Sequence, residues 1–265
     1  CSIFFLASVK NNLSLFFSYL QLTKVFMYFY SCATGTVGLM ILAILSTMLL
    51  LLFIKEPPVI HIGKERLVNF KKNLRESFLT KRTGYTIAFA LTGAAAFEAA
   101  GAMAGPFLTD HHLGLESIGF FFGVPVVIAM LAGGLTGGFL SDKMKRKTSV
   151  TVFLCGFVAM VLSISATGFL RPDASSFVWI TLFTAMYFFT GMFTSASYAL
   201  FMNVTNPKLG ATQFSTFMAA TNGCEAWAVW TAGIIAASHS YSHAFAAMSV
   251  ASLLSLFFLS RIKER

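Results

Sequence analysis

The chain has 265 residues, 57% of them hydrophobic and only 11% charged, with a mean hydropathy of +0.76. A soluble domain carries about 25% charged residues, so this composition excludes an ordinary soluble enzyme or binding module and describes an all-α integral membrane protein. The net charge of +9 argues against nucleic-acid binding, because the basic residues fall in short loops between apolar runs, where they report topology.

In chain order, residues 1–30 mix Phe, Ser, Lys and Asn without a clean period and lack the charged n-region and small-residue cleavage site of a signal peptide. They are assigned no fold, and with Cys1 in first place they read as a truncated or atypical start. Crossing a bilayer takes about 20 apolar residues. Runs of that kind occupy 33–54, 84–108, 117–140, 148–170, 177–202, 212–237 and 243–260, which predicts about seven transmembrane helices. A basic linker over 55–83 separates the helix in 31–54 from six helices in 84–265. Its VNFKKNLRESFL portion places Val68, Leu74 and Phe78 near one helical side and Lys71, Lys72 and Arg75 elsewhere, the pattern of a helix lying on a membrane surface.

Basic residues in short loops stay on the cytoplasmic side. The segments 55–82, 141–147, 208 and 261–265 hold sixteen Lys and Arg, whereas the alternate loops 109–116, 171–176 and 238–242 hold only Arg171. The linker and the C-terminus are therefore expected in the cytoplasm. Six spans after a long basic linker, with a seventh before it, have the layout of the back half of a twelve-helix protein plus the last helix of its front half.

The stretch LAGGLTGGFLSDKMKRK (131–147) passes abruptly from glycine-rich apolar sequence to charge. Gly133 and Gly137, and likewise Gly134 and Gly138, stand four apart, a spacing that lets a neighbouring helix approach closely. The charges then form a cytoplasmic turn, in which Asp142 is the single acid and could face the positive end of a neighbouring helix. Residues Gly138, Asp142, Lys143, Arg146 and Lys147 resemble the loop motif of the major facilitator superfamily, commonly G-x-x-x-D-[RK]-x-G-[RK]-[RK], with Lys145 where the second glycine usually stands. Two more stretches, GPFLTDHHLGLESIGFFFGV (105–124) and NVTNPKLGATQFSTFMA (203–219), are similar to segments of its AmpG-like branch, which includes muropeptide, acetyl-coenzyme A and siderophore permeases.

The resemblance covers about residues 30–262. It implies the C-terminal six-helix bundle of a twelve-helix transporter, preceded by one helix of the N-terminal half. It also implies a cytoplasmic gating role for the 138–147 motif, a bacterial inner membrane location, and dependence on a missing N-terminal half for transport. The function so implied is proton-coupled uptake of an amphipathic organic solute such as a muropeptide. A siderophore importer, or a non-transporting remnant or scaffold, stays open as an alternative.

An ionisable group within a span is costly unless it faces a cavity or a partner. Glu98 is such a group, with Ala94, Ala95, Gly101 and Ala102 as helical neighbours, a small-residue face suited to a bundle interior. Because surroundings tune a carboxyl's hold on its proton, Glu98 is a candidate for proton coupling or substrate contact; the rival role is an acid hydrogen-bonded to a neighbouring helix. Glu225 is the second intramembrane acid, in one helical sector with Ser215, Thr221 and Asn222. Tyr187, Thr190, Gly191, Thr194 and Tyr198 share a face of the 177–202 span and could line a cavity for a polar organic solute, or simply pack.

The cysteines at 1, 32, 155 and 224 form no CxxC and read as buried thiols. His111 and His112 are adjacent and point apart on a helix. His239 and His243 have the spacing to share an ion only if their loop is helical, so both pairs are taken as exposed loop residues and no metal is expected. The sequence has no phosphate loop, dinucleotide fingerprint or nucleophile elbow, and no nucleophile and base at one membrane depth. No enzyme and no cofactor are expected.

Overall fold

A computed structural model describes residues 77–206 and 209–262, together with helical residues at 37, 38, 41, 42, 44–46, 48 and 49. The chain divides into two units, 1–62 and 63–265. In the first, the described helical residues lie within the run 33–54. The unassigned segment 1–30, the linker's amphipathic portion up to residue 76, Cys1 and Cys32 lie outside the described residues.

The described part of the second unit is helical throughout: α1 (Lys81–Thr92), α2 (Ala95–Asp110), α3 (Leu115–Gly123), α4 (Pro125–Lys143), α5 (Arg146–Leu170), α6 (Ser176–Val204), α7 (Gly210–Ser238) and α8 (Tyr241–Arg261). Among the described residues, five helical stretches are long and apolar enough to cross a membrane: Lys81–Asp110, Leu115–Lys143, Arg146–Leu170, Ser176–Val204 and Tyr241–Arg261. This is the build of a multi-pass helical membrane protein, and the five coincide with five of the expected spans. The sixth, α7, has 29 residues, about 43 Å at 1.5 Å per residue. Its Thr212, Gln213, Ser215, Thr216, Asn222 and Glu225 make it more polar than the others.

Two spans expected as single helices are broken. The 84–108 span parts at Gly93 and Ala94, and the 117–140 span parts at Val124. Pro125 explains the second break: it has no N–H to continue the helix and sits at the first position of α4, where its fixed φ suits a helix start. A third irregularity lies between α2 and α3, where His112 adopts φ 63° and the Leu113 N–H reaches back to the Leu108 carbonyl at 3.0 Å, closing α2 as a C-terminal cap does.

Helix α6 packs along α4 and α5, α8 joins α5 to α1 and α2, and α7 lies against α1, α2 and α8. The α4–α6 seam is backbone on backbone. A Cβ on Gly133 would strike the Phe188 carbonyl, one on Gly137 would lie 2.5 Å from the Met192 Cα, and one on Gly191 would strike the Met130 carbonyl. Of the two glycine pairs, Gly133 and Gly137 therefore permit the close approach. Positions Gly134 and Gly138 have room, with nearest atoms at 4.0 Å and 3.7 Å. Elsewhere the core is aromatic: the Phe107 ring meets Trp179, Phe183, Tyr241 and Phe245 at centroid distances of 4.9, 5.7, 5.6 and 5.9 Å. Cys224 is buried as expected, whereas Cys155 is exposed. Its helix is apolar on every side, so hydropathy gives no hint of which face turns outward.

Antiparallel succession gathers Lys81, Arg82, Lys143, Lys145, Arg146, Lys147 and Arg261 at one end of the unit, while Arg171 is the single Lys or Arg among the described residues of the other end. Three of these cations donate to backbone carbonyls near helix C-termini: Arg82 to Asn203 at 3.1 Å, Arg146 to Ala199 at 3.4 Å and Lys147 to Ser260 at 3.1 Å. The Asn203 and Ser260 carbonyls are among the last four of their helices and lack helical partners, and all three sit toward the negative end of a helix dipole, where a cation is favoured.

Candidate functional site

The site grows from the break between α1 and α2. Interrupting a helix frees backbone groups, and in a membrane these need partners from neighbouring helices. Here the Leu91 carbonyl accepts the indole N–H of Trp227 on α7 at 2.7 Å, and the Ala96 N–H donates to the Ser252 hydroxyl on α8 at 2.8 Å. A hydrogen bond also links the Ala94 backbone to Cys224 on α7. The chain resumes as α2 with the Glu98 N–H on the Ala94 carbonyl at 2.9 Å, so Glu98 occupies the first turn of α2.

Glu98 is half-buried, 17 residues from the start and 12 from the end of its span Lys81–Asp110. Glu225 stands 15 residues into α7 and 13 from its end. The two carboxylates are near enough for their charges to interact, and Glu98 also acts electrostatically on Tyr187 and Cys224. The Tyr187 hydroxyl lies 3.4 Å from where a Cβ would stand on Gly101. Its ring is fixed edge-on against Phe97 at 6.2 Å and Phe122 at 6.4 Å. One wall is thus rigid and aromatic, and the opposite wall is open: Ser215, Asn222 and Glu225 are all exposed along α7.

The structure therefore brings Glu98, Glu225 and Tyr187 together, with Asn222 on the turn of α7 beside Glu225. It does not bring the rest of the α6 face to them. Thr190 is fully buried and its hydroxyl donates to the Met186 carbonyl of its own helix at 2.9 Å. Thr194 is half-buried, and Tyr198 is exposed against the edge of Phe214 at 6.4 Å. Tyr198 stands eleven residues beyond Tyr187, roughly 16 Å along the helix axis, toward the basic end.

In the charged turn, Asp142 is exposed, Lys143 lies over the Phe139 ring at 4.1 Å, and Arg146 and Lys147 make the carbonyl contacts described above. Within the 203–219 segment the structure gives Gln213 a task that sequence reasoning missed. Its side chain, only 2% exposed, accepts from the Asn206 N–H at 2.7 Å and donates to the Thr83 hydroxyl at 2.8 Å. Thr83 in turn donates to the Ser77 carbonyl at 2.7 Å. Gln213 thereby ties α1, the end of α6 and the start of α7 at the basic end.

The roles of Cys224, Trp227 and Ser252 were also missed. The available signal was a glycine in mid-span, at Gly93, followed by an acid five residues later. A recess of about 580 Å³ lies elsewhere, between α5 and α6, beside Ser163, Thr167, Arg171 and Ser175; none of the candidate residues lines it. The acids are singled out by their chemistry and depth. Set against known proteins, the chain matches no family model and no curated protein.

Proposed function

We propose that this chain is the C-terminal six-helix half, with one preceding helix, of a secondary active transporter of the major facilitator superfamily, in its AmpG-like branch. In this reading it sits in a bacterial inner membrane with the basic end and C-terminus in the cytoplasm, and it takes up an amphipathic organic solute such as a muropeptide together with protons. The observation that supports it most is the pairing of Glu98 and Glu225 on two helices near mid-span, beside a helix break. Discontinuous helices whose ends face a midplane site are how such transporters build ion and substrate sites.

The open face gives further support. Charged and amide side chains are too costly to present to hydrocarbon, so Ser215, Asn222 and Glu225 belong against water or another protein surface. A water-filled cavity closed by an opposing half satisfies all three. In that cavity Glu98 and Glu225 exchange protons as access alternates, Asn222 contacts the solute, the buried Tyr187 backs Glu98 from within the bundle and has almost no exposed surface for the solute, and the 138–147 turn gates the cytoplasmic side.

The test is uptake into proteoliposomes by the chain joined to its N-terminal half, with and without an inward proton gradient, offering labelled muropeptide and a ferric siderophore in parallel. Gradient-driven muropeptide uptake that is abolished by Glu98→Gln or Glu225→Gln is expected. Uptake unaffected by both substitutions returns the acids to helix–helix contacts. Siderophore uptake alone reassigns the solute, and no uptake of either favours a non-transporting role.

A further inference from the structure

The junction between α7 and α8, at the end of the unit away from the basic residues, holds two exposed histidines. His239 caps the C-terminus of α7 and His243 lies in the first turn of α8. Their ring centres are 5.5 Å apart and their planes meet at 50°. Two imidazoles bound through Nε2 at about 2.0–2.1 Å to one ion, at a near-tetrahedral angle, have ring centres roughly 5–5.5 Å apart. The observed separation fits a shared ion.

The hydrogen bonds around the rings select the nitrogens. The Ser238 hydroxyl donates its proton to the Ile234 carbonyl at 2.8 Å, so its oxygen, 3.0 Å from His239 Nδ1, is left to accept the Nδ1–H. That tautomer puts the lone pair of His239 on Nε2. The Ser240 oxygen accepts the His243 backbone N–H at 3.4 Å as the cap of α8 and lies 2.8 Å from His243 Nδ1, which leaves Nε2 of that ring facing away from the hydroxyl. Metal-bound histidines characteristically have the other ring nitrogen fixed in this way. The His243 ring is further set by Phe169, which meets it edge-on at 4.8 Å, and the junction itself is pinned by Tyr241, between the two histidines, which donates to Asp110 at 2.9 Å.

From these observations we infer that His239 and His243 form a two-imidazole site for a first-row divalent cation of the zinc, copper or nickel type, with water completing the coordination. Imidazole nitrogen suits those metals and not magnesium or calcium. Among the described residues no group of three metal-binding side chains exists, so the site is a surface clip. A bound ion fastens the end of α7 to the start of α8. The inference is independent of the transport reading.

The test uses the tag-free 265-residue chain in detergent micelles, with zinc uptake followed by competition against a chromophoric chelator and copper(II) coordination followed by electron paramagnetic resonance. One zinc per chain and a copper spectrum with two equivalent nitrogen couplings are expected. His239→Ala and His243→Ala should each abolish the two-nitrogen spectrum and weaken zinc binding at least about tenfold, and Ser238→Ala should weaken it by roughly tenfold. The triple replacement of His61, His111 and His112 by Ala should leave both readouts unchanged. An unchanged helical circular dichroism spectrum shows that each variant is folded. No zinc uptake by the parent chain, or uptake that survives His239→Ala or His243→Ala, overturns the site.

Discussion

The indole N–H of Trp227 donates to the carbonyl of Leu91, 136 residues earlier, at 2.7 Å. Such a bond has a definite job: Leu91 lies on the last turn before the chain breaks at Gly93, and its carbonyl would otherwise be unpaired at membrane depth.

Replacing Trp227 by Phe keeps most of the apolar bulk and removes the donor. The expected loss is about 1 kcal/mol, the usual net worth of one such hydrogen bond, seen as a lower thermal midpoint in detergent. Ser252→Ala, which removes the partner of the Ala96 N–H, should cost a similar amount. Variants as stable as the parent would mean that the break is held by packing alone.

The glycines of the α4–α6 seam give a sharper contrast. Gly137→Ala and Gly133→Ala push a methyl into backbone atoms that cannot rotate away, and a loss of about 2–4 kcal/mol is expected, in the range of severe overpacking. Gly134→Ala and Gly138→Ala have open space and gain helix propensity, worth up to about 1 kcal/mol. Chemical denaturation of all four in the same detergent decides the matter, and equal effects from the two pairs would contradict the seam as described.

Gln213→Leu preserves size while deleting an acceptor for Asn206 and a donor for Thr83, both at a buried position. Stranding these partners should destabilise the protein by about 2–3 kcal/mol. Gln213→Glu retains only the acceptor, adds a charge and should be no better tolerated. Limited proteolysis at the α6–α7 connection offers a second readout, since loosening the clamp exposes that segment first.

Glu98 and Glu225 should behave as a coupled pair. With like charges within reach of one another, neutralising either relieves repulsion, and neutralising the second then gains less. Glu98→Gln, Glu225→Gln and the double variant should therefore give non-additive stabilities, with a coupling of at least about 0.5 kcal/mol. Strict additivity would place the acids in separate environments.

The sequence is informative about membrane spans because hydropathy is a one-dimensional signal. The runs near 84, 117, 148, 177 and 243 all became helices that can cross a membrane, and charge alternation anticipated the separation of basic and non-basic ends. Features that need a second segment stayed hidden. The repeat in GGLTGG (133–138) could not say which of its two registers meets a neighbour, because that depends on Phe188 and Met192. The break at Gly93 is marked in sequence only by a mid-span glycine, a residue common in membrane helices, and the groups that heal it lie at 224, 227 and 252. Glu98 and Glu225 were each legible as misplaced acids; their proximity depends on how α7 lies against α1 and α2. Likewise His239 and His243 show only a spacing in sequence, and the closeness of their rings and the serine contacts at Nδ1 appear only in the fold.

The contact of Gly133, Gly137 and Gly191 with opposing backbone has a mechanical meaning. Side chains at a seam can change rotamer and let helices slide, but main chain against main chain has no such freedom. Helices α4 and α6 must translate and tilt as one beam. Any rearrangement that opens or closes the face bearing Glu225 has to be taken up on the far side, where α7 touches α6 only lightly and meets α1 through the exchangeable hydrogen bonds of Trp227 and Gln213.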